Sequence, residues 1–340
     1  MILYLAESNL PPKQLDRLAD KAGANNFLFS FAYSQARKSA EHFCIQPYRR
    51  VFIDSGAYTT WTKGKKVPLE EYIHFCKQIM GMAKCPVVFA ALDVIPGSKN
   101  GPDPTKAEID MAADEGWANY QAMKQEGIAP CLMTYHDLEH RRQLVRIADD
   151  SDYFAVAPRK APLEDSDEGL TELKLQFLKR VFGYIRGREG SLKKIHGFGV
   201  SSVPFMEQFP FYSVDSTAWE QSIRSKLYRH LFVRNRRSNW KLKDMNDGET
   251  PDIREMVGLL EALGEKSDLN GNSGTYFLHV RGMAGDVLLG RHVTDVWEAK
   301  GVTWNDQPRE CGHPDQPCDE QPCPRCLEAS YRFTQARLGE

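Results

Sequence analysis

Eight short apolar runs, separated mostly by longer stretches with helical spacing, constrain this chain more than any other feature. They are Met1–Leu5, Phe27–Phe31, Val51–Ile53, Val87–Leu92, Cys131–Thr134, Tyr153–Ala157, Ile195–Phe198 and Phe211–Val214. The runs are continuous rather than alternating, which is the mark of strands in a parallel sheet covered on both faces. Leu69–Met80 places Leu69, Tyr72, Ile73 and Cys76 on one helical stripe. Thr105–Gln125 follows a proline and has Thr105 as its cap, and Leu170–Ile185 repeats the helical pattern with Leu173, Phe177 and Val181. Eight such units predict a (β/α)8 barrel of the TIM type. An open doubly wound sheet is the rival, but no glycine-rich phosphate loop follows the first run. The barrel is expected to occupy residues 1–245 as a catalytic domain, with 246–340 as a C-terminal extension.

The residues just past the runs carry the chemistry. Asp54, Asp93 and Asp215 each stand where a strand is expected to end, Asp54 followed by Ser55-Gly56, with Tyr135-His136-Asp137, Pro158-Arg159-Lys160 and Gly199-Val200-Ser201 at other strand ends. A lone acid there can be a helix N-cap. Three acids at three strand ends of one barrel would instead meet on its carboxyl-terminal face, where such folds place their active sites. A helix is expected directly after Asp215, with Trp219, Ile223, Leu227 and Leu231 on one face.

The segment from Arg224 to Lys243 contains Arg224, Lys226, Arg229, Arg234, Arg236, Arg237, Lys241 and Lys243 and no acid, with Tyr228, Phe232 and Trp240 interleaved. A solvated helix face would explain it. Its position directly after Asp215, in a chain of net charge −2, favours contact with phosphates.

Composition narrows the class. The chain of 340 residues is 41% hydrophobic and 26% charged, and no apolar run approaches the roughly 20 residues of a membrane span. The first residues read as a strand rather than an export signal, so a cytoplasmic protein with reduced thiols is expected. Cys44, Cys76, Cys85 and Cys131 lie among apolar residues and read as core. The tail differs. Cys311, His313, Cys318, Cys323 and Cys326 fall among polar and proline residues, and Cys323-Pro-Arg-Cys326 is a zinc knuckle. Residues 311–326 are therefore expected to hold one structural Zn2+ through four of the five. Ahead of them, Met245–Pro251 reads as a loop, Ile253–Leu263 as a helix, Lys266–Gly274 as a flexible connection and Tyr276–Val280 as a late strand.

The strand-end motifs have a family likeness. Ile53-Asp54-Ser55-Gly56-Ala57-Tyr58 resembles the Asp-Ser-Gly-Gly-Phe segment of the tRNA-guanine transglycosylase superfamily. Ala91-Leu92-Asp93 resembles its second base-binding aspartate, and His196-Gly197-Phe198-Gly199-Val200 its Met-Gly-Val-Gly strand. Ser213-Val214-Asp215 matches the step to its nucleophilic aspartate. The likeness runs in order from about residue 50 to 225. The Val-Asp-Ser-Thr-Ala-Trp form is closer to the branch that inserts 7-deazaguanines into DNA. Departures are Ala57 for the second glycine, Met133-Thr-Tyr-His-Asp137 for Val-Gln-Gly-Gly, Ala157-Pro-Arg-Lys160 for the base-recognition loop, and a cysteine cluster much farther from the nucleophile.

The resemblance implies exchange of guanine in DNA, or alternatively in tRNA, for a free 7-deazaguanine base such as preQ0 or preQ1. It implies Asp215 as nucleophile, Asp54 as general acid/base and Asp93 on the purine edge, with Ser55, Gly56, His136, Pro158 and Gly199 around the base. Arg224, Arg229, Arg234, Arg236, Arg237 and Lys241 would hold the polymer. No organic cofactor and no membrane partner are implied, and a homodimer is allowed. Two other classes compete: a metal-dependent barrel hydrolase, for which no His-x-His or His-Glu-x-x-His motif is present, and a non-catalytic nucleic-acid-binding accessory subunit.

Overall fold

The computed structural model describes residues 1–6, 9–97, 101–158, 167–186, 193–220 and 272–302, with short strand pieces at 227–228, 232–233, 236–237 and 240–241. The main strands are β1 (Ile2–Ala6), β2 (Asn26–Ser30), β3 (Arg50–Asp54), β4 (Val87–Ala90), β5 (Cys131–Leu132), β6 (Thr134–His136), β7 (Tyr153–Ala157), β8 (Lys194–Gly197) and β9 (Ser213–Ser216). They form one all-parallel sheet in the order β5-β4-β3-β2-β1-β9-β8-β7-β6. Only Met133 separates the two edge strands, so β5 and β6 are one broken strand. Ala91 N–H donates to Leu132 O on one side and Ala155 N–H to Met133 O on the other, at 2.8 and 2.9 Å. The sheet is thereby a barrel of eight strand positions, one for each apolar run.

The outer ring contains α1 (Pro12–Ala22), α2 (Ser34–Cys44), α3 (Ala57–Trp61), α4 (Leu69–Met82), α5 (Lys106–Gln125), α6 (Arg141–Asp150), α7 (Asp167–Arg186) and α8 (Val203–Gln208). Thr105 opens α5 with a capping box: its hydroxyl accepts from Glu108 N–H while the Glu108 carboxylate accepts from Thr105 N–H. Tyr72 of α4 donates to Ala90 O at 2.8 Å, and Asn119 of α5 to Leu92 O at 3.1 Å. These two bonds fix the stretch of backbone that carries Asp93.

Parity along the strands sorts the core into two parts. Leu3, Leu5, Phe27, Phe29, Val51, Ile53 and Val214 face the helices. Tyr4, Ala6, Leu28, Phe52, Val88, Ala90, Leu132 and Ala155 face the barrel axis. Successive side chains point to opposite faces of a strand, so Ser30, Asp54, His136 and Asp215 continue the inward rows at the carboxyl end. The four cysteines of the barrel are buried free thiols, as the sequence indicated.

Two expectations are corrected. Tyr276–Val280 is not a strand but lies in a long helix, α9 (Asn272–Ala299). It packs between α8 and α1 and against β1, so residues beyond 245 complete the barrel's helical ring. Val280, Met283, Leu289, Val293 and Trp297 are buried, Trp297 Nε1 donates to Met206 O at 2.7 Å, and the Met1 ammonium donates to Thr294 Oγ1 at 2.7 Å. The second correction concerns the helix after Asp215. It is described only over 218–220, and Leu227 does not continue it. Leu227–Tyr228 instead pairs antiparallel with Trp240–Lys241, and Phe232–Val233 with Arg236–Arg237. Arg224, Arg229 and Arg234, the 245–271 readings and the cysteine tail at 311–326 lie outside the described residues. No helix among the described residues is long and apolar enough to cross a membrane.

Because Trp297 both fills the core and satisfies a backbone carbonyl, Trp297→Ala is expected to destabilise the barrel by about 3–5 kcal/mol. Urea unfolding measures this, and a loss below about 1 kcal/mol would mean that α9 is not part of the cooperative unit.

Candidate active site

Asp54, Asp93 and Asp215 meet at the carboxyl end of the barrel, close enough that the charges of Asp93 and Asp215 both act on Asp54. Burial is the larger influence. Together they push the Asp54 carboxyl up to about 6, against the pull of the neighbouring Ser30 hydroxyl and of Gly56 N–H. Ser30 and Asp54 are registered opposite each other on β2 and β3. Gly56 N–H donates to Asp54 Oδ2 at 3.2 Å. Gly56 has φ +73, and a Cβ there would lie 2.6 Å from Ala32 Cβ and 2.7 Å from Ala32 N. The turn holding the carboxylate therefore requires glycine for both conformation and space. Ser55 is buried, and its hydroxyl accepts from Ala57 N–H at 3.4 Å, supporting the start of α3 rather than facing outward.

Asp93 is paired with His136, Oδ2 to Nε2 at 3.3 Å. Burial alone would pull the imidazole down, but Asp93, with Glu139 nearby, holds it up to about 9. The pairing therefore favours the imidazolium form of His136. Glu139, three residues past the end of β6, is pushed up to about 7 by burial, against the pull of His136. Asp93 Oδ1 is buried with no hydrogen-bond partner, which leaves it ready for a donor on a ligand.

Asp215 receives Gly199 N–H on Oδ1 at 3.1 Å, with Gly199 at φ +65. His196 Nε2 lies 3.7 Å from the same oxygen. The bend at 198–199 thus serves Asp215, where the sequence suggested a contact to the base. Beneath the acids the barrel is plugged by aromatic rings. Phe52 and Phe198 both stack or edge against His196 with centroids 4.5 Å away, and Tyr4 contacts Phe52 at 5.4 Å. Trp219 Nε1 donates to Ala6 O at 3.0 Å, anchoring the chain after Asp215 to the end of β1. Gly282 of α9 makes this possible, since a Cβ there would lie 2.6 Å from Trp219 O.

Of the expected base-contacting set, Pro158 follows the end of β7 and is buried, and the residues after it, 159–166, are outside the described residues. Arg236, Arg237 and Lys241 lie in the short ribbons. The sequence reading passed over three residues: Ser30, Glu139 and His196. Ser30 and His196 were legible as inward positions of their strands; Glu139 is in a loop and carried no signal. Among the described residues, no group of three His, Cys, Asp or Glu side chains could hold a metal ion.

No family model matches the sequence, and no curated protein does. Among solved structures, the crystal structure of 3-hexulose-6-phosphate synthase aligns over 64% of this chain and 89% of that one, at 12% identity and a TM-score of 0.34. The barrel assignment rests on the strand pairing of this chain itself. What the site can do follows from its groups: an acid poised near neutrality, a second carboxylate with a free oxygen, and a third held by one oxygen.

The raised Asp54 sets a pH dependence. Its neutral form fits the fold better than its charged form, so its favourable contribution is full below about 3.8 and is lost as pH rises through about 6. Asp54→Asn removes the cost of ionisation. The variant should match the native protein at pH 4 and exceed it by about 1–2 kcal/mol at pH 8, after allowing for screening at the barrel mouth. Unfolding curves at the two pH values test this, and equal stability at pH 8 would contradict the burial of an ionised Asp54.

Proposed function

We propose that this chain is an enzyme that exchanges guanine in a nucleic acid, DNA in preference to tRNA, for a 7-deazaguanine base. The observation that carries the reading is the convergence of Asp54, Asp93 and Asp215 at one barrel mouth, where burial and the two neighbouring acids push the Asp54 carboxyl up to about 6. Glycosidic bonds break through an oxocarbenium-like state that a carboxylate can trap. Asp215 attacks C1′ of the nucleotide, the C1′–N9 bond breaks, and its electron pair leaves with guanine, which takes a proton from Asp54. The incoming base then returns a proton to Asp54 as it displaces Asp215 from C1′. An acid near neutrality suits both directions. Asp93 Oδ1 accepts from the N–H edge of the purine, with Oδ2 held by His136. The target base must leave its stack to enter. The basic strand pieces at 236–237 and 240–241 follow Asp215 in the chain and supply phosphate contacts beside the flipped base.

The test supplies labelled 7-deazaguanine with duplex DNA, single-stranded DNA and unmodified tRNA in parallel. Label is expected in DNA. Asp215→Asn should abolish incorporation while retaining polymer binding, and neutralising Arg236 and Arg237 should lower it for every sequence. Label entering tRNA alone would change the polymer and keep the chemistry. Label entering none, with binding intact, would favour a non-catalytic accessory subunit.

Zinc in the tail is a separate proposal, supported by the Cys-x-x-Cys spacing of Cys323 and Cys326 with Cys311, His313 and Cys318 nearby. Metal analysis of the purified protein should find one zinc, lost in a Cys323→Ser, Cys326→Ser double variant. A metal-free native protein would refute it.

A further inference from the structure

A line of polar contacts runs along the barrel interior beneath Asp215. Tyr153 Oη lies 2.7 Å from Ser213 Oγ, and Ser213 Oγ lies 2.8 Å from His196 Nδ1. His196 Nε2 then faces Asp215 Oδ1 at 3.7 Å. His196 is fully buried among Phe52, Phe198 and Tyr4, and Nε2 has no hydrogen-bond partner. At 3.7 Å the contact to Asp215 is electrostatic and too long for a hydrogen bond. A buried polar atom left unpaired beside a reactive carboxylate calls for an explanation.

We propose that His196 is a positioning residue for Asp215. Ser213 fixes its imidazole as the Nε2–H tautomer and aims that N–H at Oδ1, leaving Oδ2 as the oxygen that bonds to substrate. The orientation follows from the two ends of the line. If Nδ1 carried the proton, the Nε2 lone pair would face a carboxylate across an aromatic-walled space, which is repulsive. With Nδ1 as acceptor, Ser213 O–H donates to it, Tyr153 O–H donates to Ser213, and every proton has a place. Burial also pulls the imidazole below its ordinary pKa, so it is neutral rather than a cation. Gly199 N–H already holds Oδ1, and no described residue donates to Oδ2. Ser213 and Asp215 share the inward face of β9, and His196 faces them from β8 through the registers His196–Ser213 and Gly197–Val214.

This assignment rests on the proposed role of Asp215 as nucleophile. A donor at Oδ1 matters most when charge returns to Asp215, that is, when the incoming base displaces it from C1′. Removing that N–H should slow release of the covalent intermediate more than its formation, by about 10-fold, the effect of an aimed dipole rather than of a direct hydrogen bond.

Two measurements on the full chain separate the tautomer from the function. The first is nitrogen NMR of histidine-labelled protein. It should show His196 neutral at pH 7 with its proton on Nε2, and Ser213→Ala should disturb that signal. A proton on Nδ1, or an imidazolium, would overturn the inference whatever the activity. The second follows the denaturation-stable adduct with a guanine-containing oligonucleotide over time. His196→Phe should accumulate adduct with slow release, and His196→Gln, which keeps an N–H donor, should recover part of the rate. Equal slowing of both steps in both variants would reduce His196 to a packing residue. No adduct in the unsubstituted protein would contradict the nucleophilic role itself, while the NMR result still decides the tautomer.

Discussion

The structure depends on closing a parallel sheet so that one face of every strand points at a common axis. Closure gives each strand an inward row, and the rows are apolar for most of their length: Tyr4, Leu28, Phe52, Val88, Leu132 and Ala155. An acid that continues such a row at its carboxyl end is backed by apolar atoms and flanked by the acids of neighbouring rows. Those two conditions disfavour its ionised form. Asp54 is raised for this reason, burial first and the charges of Asp93 and Asp215 after it. The same geometry that hides the core therefore tunes the site, and no separate device is needed.

The three acids are nevertheless treated differently by their surroundings. Asp54 is held by a glycine turn whose conformation and crowding admit no other residue comfortably. Asp93 is paired with a histidine whose charged form that pairing favours, and retains one buried oxygen without a partner. Asp215 is gripped through one oxygen by the bend at Gly199. Three identical side chains thus differ in how readily they ionise, in whether an oxygen is left without a partner and in how they are held, as the proposed proton carrier, base acceptor and nucleophile require. The outer helices sustain these differences through Tyr72 and Asn119 behind Asp93, and through the close approach of Gly282 to Trp219 behind Asp215.

Much of this was legible in the sequence because strands of a covered parallel sheet leave unbroken apolar runs. All eight runs became strand positions, and the acids at 54, 93 and 215 came together at one end. Position along a strand decided which residues the reading missed. Ser30 and His196 sit inside apolar runs, where the reading looked for chemistry only past the ends. Counting by two from Phe52 to Asp54, or from Ser213 to Asp215, shows that inward parity marks site residues as well. The helical spacing of Trp219, Ile223, Leu227 and Leu231 misled at Leu227, because an apolar residue at helical spacing also fits a short paired strand. Tyr276–Val280 misled because five branched and aromatic residues read as a strand, whereas they are held in α9 by packing of the helix against β1 and α1.

The central claim is that Asp215 becomes covalently attached to the sugar. It is tested most directly by mixing the protein with a guanine-containing oligonucleotide, denaturing the mixture, digesting it and sequencing the modified peptide by mass spectrometry. The account predicts a glycosyl ester on Asp215, absent when the incoming base is supplied in excess and allowed to complete the exchange. Base exchange that proceeds with no adduct, or with the adduct on another residue, would contradict it.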